Sequence, residues 1–259
     1  MNDIFKENTD IVSFNELKDI TGVTVLGYTE FLNCSNLESI DLRNIVDVGV
    51  NGGIWECYTF NGCSNLTKNS HGILHLPKLT RVSGKIFGHM PYLRMLIVES
   101  LIYFGKPNFI FDYSDNILAL IAPKSTMLDE NNSLRIAGDN YHPNTIFGYS
   151  SYMSVIELGK ITQIEKLALQ HCSALRAVVL HLQDTVPALQ GYSSGNSFTQ
   201  WLPNANCNIF VPDNIVATIQ ADSTWSNFSS HVKPISEYDF SDYIDDIDLV
   251  NYYNSVFNT

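Results

Sequence analysis

Positive charge is scarce in this chain. Across 259 residues, 15 Lys and Arg stand against 27 Asp and Glu, a formal charge of −12. Such a surface repels phosphate backbones and anionic lipid headgroups, so nucleic acid is excluded as a partner and membrane adhesion is disfavoured. Cysteine is sparse as well. Cys34, Cys57, Cys63, Cys172 and Cys207 make an odd set for a disulfide framework. No two of them form the C-x-x-C pair of a zinc ribbon or a thioredoxin-like site. Long apolar runs are missing too: nothing approaches the roughly 18 residues that read as a spanning helix, so no membrane insertion is expected. The opening MNDIFKENTDIVSF has no basic start followed by an apolar core, unlike a secretory signal.

Signatures of catalysis are also wanting. There is no G-x-S-x-G elbow and no phosphate-cradling glycine loop; GYSSGNS at 191–197 reads as a flexible turn. His71 and His75 have a helix-face metal spacing, but the repeat described next puts His75 in a strand and His71 in an insertion. Asp245, Asp246 and Asp248 lack the glycine and the closing glutamate of a calcium loop. The sequence therefore predicts a protein without metal or cofactor and without catalytic residues.

What the chain does have is a repeat. FLNCSNLESIDL at residue 31 returns as FNGCSNL at residue 60. Written as F-x-x-C-S-x-L-x-x-I-x-L, the template recurs from Phe31, Phe60, Phe87, Phe111, Phe147, Leu169 and Phe198. Met90 and Ser114 stand in for the cysteine in two copies, and a polar insertion at about 123–146 reads as a loop. Most spacings fall in the window of about 20–29 residues expected of leucine-rich repeats. In I-x-L the two apolar residues face one way and the middle residue the other. One such strand cannot bury its apolar side alone, whereas parallel copies stacked in register can. The opening Phe packs behind the strand, and Cys, Met or Ser fills a small interior slot at the fourth position.

This rhythm, followed by apolar segments such as IVDVG at 45–49, resembles the BspA-type leucine-rich repeat. FNELKDITGVTVLG at 14–27 is similar to the start of such domains, and IFVPDNIVATIQADSTWSNFSSHVKPISEY at 209–238 to their terminal unit. The resemblance covers about residues 11–238. It implies a β-rich, right-handed solenoid of short parallel strands, with about six to seven irregular repeats and a C-terminal capping unit. The expected division is a cap and partial repeat over 1–30, repeats over 31–197, a terminal repeat and cap over 198–235, and an acidic aromatic tail over 236–259. In the cap, Asp213 is predicted to be a helix N-cap, with Ile215, Val216, Ile219, Trp225 and Phe228 as the plug. Proteins of this kind act as surface adhesins or binding modules of host-associated bacteria, and some occur in their phages. The resemblance carries over no catalytic residue.

Two regions are candidates for function. The outward row at the centre of each I-x-L reads Asp41, His75, Ile97, Ile121, Glu157, Val179 and Phe210. Four of these seven are apolar, which is either an interaction face or a face covered by loops or the tail; a register slip of one would exchange the two sides. The tail holds six carboxylates and no Lys or Arg, yet also Tyr243, Ile244, Ile247, Leu249, Tyr252, Tyr253 and Phe257. Either it docks on its own solenoid, or it assembles with another subunit. The expected function is non-catalytic recognition of a protein or glycan on a host or bacterial surface. The alternative is a virion component meeting neighbouring subunits, with homo-oligomers also in view; a polysaccharide-acting enzyme ranks last. Location follows: the cell surface if an export signal was removed, otherwise a virion.

Overall fold

Stacked parallel strands need apolar residues at equivalent positions in every turn, and the computed structural model places them so. It describes residues 3–50, 57–82, 84–104, 111, 114–129, 132–133, 135–136, 150–165, 169, 172–190, 201–202 and 204–258. Phe147, Phe198, the GYSSGNS segment and most of the polar insertion lie outside these.

The chain winds as a parallel β-solenoid of about seven turns. One side is a seven-stranded sheet: Ile73–His75, Met95–Ile97, Ala119–Ala122, Val155–Leu158, Ala177–Leu180, Asn208–Val211 and Val232–Pro234, every pair parallel. The opposite side carries a sheet running from Val25–Gly27 through Asp47–Val50, Arg81–Val82 and Tyr103–Phe104 to Met127–Asp129, where Asn132–Ser133 joins antiparallel. Arg135–Ile136, Gln163–Glu165 and Ala188–Gln190 form a third sheet. Leu74, Leu96, Leu120, Ile156, Val178 and Ile209 stand in register and fill the interior between the sides.

The opening phenylalanines form a spine. Phe5, Phe31, Phe60, Phe87 and Phe111 stack in sequence with centroids 5.1–6.3 Å apart. Two residues after four of them the backbone turns left-handed, at Glu7, Asn33, Gly62 and His89 (φ 60°, 60°, 78° and 55°). Glycine is the best of the four for that conformation. At Gly62 it also makes room, since a Cβ would meet Asn33 Oδ1 of the preceding turn at 2.3 Å.

The fourth position fills its slot and satisfies a carbonyl as well. Cys34 Sγ donates to Phe5 O (2.8 Å), Cys63 Sγ to Phe31 O (3.0 Å), and Ser114 Oγ to Phe87 O (2.6 Å). Each bond thus ties one turn to the opening Phe of the turn before. All five thiols are free and buried. Burial pushes Cys63 and Cys207 well above the usual thiol range and Cys172 up to about 12. Since the thiolate is the reactive species, the native chain is expected to give no fast reaction with a disulfide reagent such as DTNB. Denaturant should release all five thiols.

The C-terminal end is closed by helix α1 (Val216–Ala221), whose Ile219 is buried, together with the buried Trp225 and Phe228 that follow it. Trp225 Nε1 donates to Pro187 O at 2.7 Å, so the indole is anchored as well as packed. Asp213 departs from expectation. Its side chain caps no helix; Pro212 fixes an extended entry to the short 3₁₀ turn Asp213–Ile215, and the Asp213 carboxylate instead accepts from the Ser236 N–H at 3.2 Å. That bond pins the start of the tail.

A strand ladder beneath the C-terminal tail

The outward row is present in register. His75, Ile97, Ile121, Glu157, Val179 and Phe210 are consecutive partners across the seven-stranded sheet, and Lys233 follows them. Asp41 is not on it: among the described residues Ser39–Ile40 pairs with Ser13–Phe14 and not with the seven-stranded sheet. The physical reason is an insertion: seven residues separate Leu66 from Leu74, where two separate Leu37 from its equivalent Ile40. Residues 67–72 form turns there, with the Thr67 N–H bonded to Glu38 O, and the sheet breaks.

Ile97, Ile121, Glu157, Val179 and Phe210 are not a solvent-facing surface. All five are buried, which corrects the exposed-face reading. Their cover is the tail. After Pro234 the chain turns back across the ladder, and its last eleven-residue element, α2 (Ile247–Phe257), lies on the sheet. Phe240, Ile244, Leu249, Val250 and Tyr253 pack with the row and with its neighbours Met95, Ala119, Val155 and Ala177. Those neighbours form a second outward row that the sequence reading missed. The signal was available, since residues two apart on a strand share a face. Ile247, expected on the apolar side, is instead exposed at the first position of α2.

The proposed assembly residues have partners within the chain. Tyr243 sits against Phe210 and Tyr238 (5.9 and 5.7 Å between centroids). Tyr253 stacks on Phe240 at 4.0 Å and contacts Phe257 at 4.8 Å. Tyr252 meets His75 edge-on, with its hydroxyl 3.0 Å from Nδ1.

Charge guides the docking. Arg94 and Arg176 occupy the same position, just before the strand, in their respective turns. Arg94 forms an ion pair with Asp246. Arg176 donates from Nη2 to Tyr243 O at 2.5 Å and lies over the Tyr243 ring at 5.6 Å. Among so few basic residues, two on the path of an unrelieved acidic tail are the sequence signal for this contact. Asp246 also caps α2, accepting from the N–H groups of Asp248 (3.0 Å) and Leu249 (3.3 Å).

Burial works against ionisation of Asp246, but the Leu249 amide and the Arg94 guanidinium outweigh it and hold the carboxyl below its ordinary value. A depressed carboxyl stabilises the fold above its unfolded value of about 3.9 and loses that contribution as pH falls through the lower folded value. Asp246→Ala, which removes cap and ion pair, is therefore expected to cost about 1–2 kcal/mol at pH 7. Urea unfolding at pH 7 and pH 3 checks this, and the cost should shrink at pH 3.

Glu157 is the chemically suggestive member of the row. It is fully buried, accepts from Tyr238 Oη at 2.9 Å, and lies 2.7 Å from His181 Nε2. Burial and then the Glu157 carboxylate drive the Tyr238 hydroxyl well above its usual range, and the same two causes raise Tyr253. With all its surface closed, this carboxylate has no face for a substrate; it satisfies the phenols that the tail brings down.

At its N-terminal end the ladder is open. There the sheet break leaves a cleft of about 510 Å³ that includes Asn15, Glu38, Ser39, Asp41, Ser70, His75 and Tyr252. Asp41 and His75, the two half-exposed members of the expected row, both line it. Burial favours the neutral form of Asp41, but hydrogen bonds from Arg43 (Nε 2.9 Å, Nη2 2.6 Å) prevail and keep its carboxyl below the usual range. His75 Nε2 lies 3.2 Å from Glu99 Oε2, so its ring is held between Glu99 and Tyr252. Among the described residues no group of three or more His, Cys, Asp or Glu is arranged to hold a metal ion, and no helix is long and apolar enough to cross a membrane. No protein-family model matches the sequence, and no curated protein matches it.

Proposed function

We propose that the chain is a non-catalytic recognition module of the BspA-type leucine-rich-repeat kind, working at a cell surface. Its binding site is the cleft of Asp41, His75 and Tyr252, and its ligand is a glycan. The observation that carries this reading is that the tail stops short of Asp41 and leaves a cleft at the N-terminal end of the ladder. The cleft offers carboxylate, hydroxyl and amide groups beside an aromatic ring, the mixture that suits a hydroxylated ligand: polar groups orient it and the ring packs against it. Asp41 is pre-oriented by Arg43, which lowers the ordering cost of binding. The sequence rhythm and the terminal unit support the repeat family.

A virion role using the tail for assembly would require the tail to leave the ladder it occupies. The adhesin reading needs no such rearrangement. A screen of the purified chain against immobilised glycans and surface proteins tests it, with Asp41→Ala and His75→Ala alongside. Binding to a glycan class that weakens at least tenfold in both variants, a loss of about 1.4 kcal/mol, is the expected result. A protein ligand, or binding indifferent to both substitutions, would sink the cleft assignment.

A further inference from the structure

The two ends of the solenoid are unlike. Trp225, Phe228 and α1 plug the C-terminal end, whereas the N-terminal end holds an apolar cavity of about 250 Å³. Phe5, Phe14, Leu17, Leu26 and Phe31 wall it, and the exposed Ile20 stands among its lining residues. One wall residue does not belong in an apolar hole. Glu30 lines the cavity, is only 3% exposed, and its Oε2 is buried with no hydrogen-bond partner.

A carboxylate oxygen withdrawn from water without a donor is unfavourable to the fold. In this chain that cost is incurred before any ligand arrives. An incoming cation bears only its own desolvation, and it gains a charge-assisted hydrogen bond in a low-dielectric site. From this combination we infer that the cavity is a second binding site, for a small primary amine with an apolar body.

Size and charge narrow the occupant. The cavity falls below the roughly 300 Å³ at which drug-sized pockets begin, so it fits one ring or a short alkyl chain with its ammonium. A neutral hydrocarbon would fill the space and leave Glu30 Oε2 unpaired. A second copy docked end to end would set one Glu30 against another. An ammonium supplies the missing donors, and the aromatic walls take the apolar body. This site lies at the capping end of the N-terminal turn and is separate from the Asp41 cleft.

The test uses the full chain with phenethylamine and, as its uncharged counterpart, 2-phenylethanol, followed by calorimetry and by the thermal unfolding midpoint. Phenethylamine should bind at least about tenfold more tightly than the alcohol, as expected when a charged donor meets the carboxylate, and should raise the midpoint. Glu30→Gln should erase the difference between the two compounds. Ile20→Trp, at an exposed position, should block the mouth and abolish phenethylamine binding whether or not the Glu30 variant folds. Equal affinity for amine and alcohol, no binding of either, or unchanged amine binding in Ile20→Trp would each overturn the assignment.

Discussion

Deleting residues 236–259 is expected to lower the stability of the solenoid by several kcal/mol and to make it bind ANS strongly. The tail brings Phe240, Ile244, Leu249 and Tyr253 onto the ladder, and all are buried there. Each side chain of this class gains about 1.5–3 kcal/mol on leaving water. The same contact buries Met95, Ile97, Ile121, Val155, Val179 and Phe210 from the other side. Conformational entropy lost in ordering the tail opposes this, so the net gain is much smaller than the gross one. The stripped face has a second cost. It is a contiguous apolar surface with Glu157 at its centre, and the carboxylate would lose Tyr238. Surfaces of that kind associate. A truncated chain with wild-type urea midpoint and no dye binding would mean that the tail covers nothing of consequence.

The second large effect belongs to the spine. Phe60→Ala is expected to cost about 3–5 kcal/mol, the usual range for emptying a buried aromatic site. Phe60 is completely buried between Phe31 (5.5 Å) and Phe87 (6.3 Å). Its neighbours are other turns of the same stack, held by inter-turn hydrogen bonds at Thr59 O and Ile86 O. They cannot close the gap without shifting those turns. In a solenoid each turn is stabilised chiefly by its two neighbours, so a defect at Phe60 uncouples the N-terminal turns from the rest. Tyr152→Ala is the matched control, because Tyr152 is 57% exposed and should change stability by less than about 0.5 kcal/mol. Urea denaturation of the two variants checks the contrast; similar midpoints would contradict the role of the spine.

Much of this architecture could be read from the residues because each turn repeats the same physical demand. Phe, the small fourth residue and the I-x-L strand recur since every turn fills the same slots, and period-two alternation placed His75, Ile97, Ile121, Glu157, Val179 and Phe210 in one row. Asp41 fell outside it because five additional residues before Leu74 break the sheet, and a template cannot tell an insertion that loops out from one that interrupts pairing. Asp213 was misassigned because Asp-x-x at a strand end looks like a cap, while its true partner, Ser236, lies 23 residues away. The fate of the tail was the hardest to read. Its acidity and its aromatics allow docking in cis or in trans, and the deciding features, Arg94 and Arg176 on adjacent stretches of its path, become neighbours of the tail only once the turns are stacked. The Glu30 cavity has no sequence signature at all, since a lone Glu before a Phe gives no hint of an unpaired carboxylate in an apolar wall.

The tail closes over the ladder of its own chain and leaves the Asp41 cleft open. Absolute mass by light scattering, for the full chain and for residues 1–235 over a wide concentration range, tests it most directly. The full chain should have single-chain mass at every concentration, and the truncated chain should grow with concentration as its bared ladder associates. A full chain that is oligomeric, and falls to a clean monomer when the tail is removed, would contradict it.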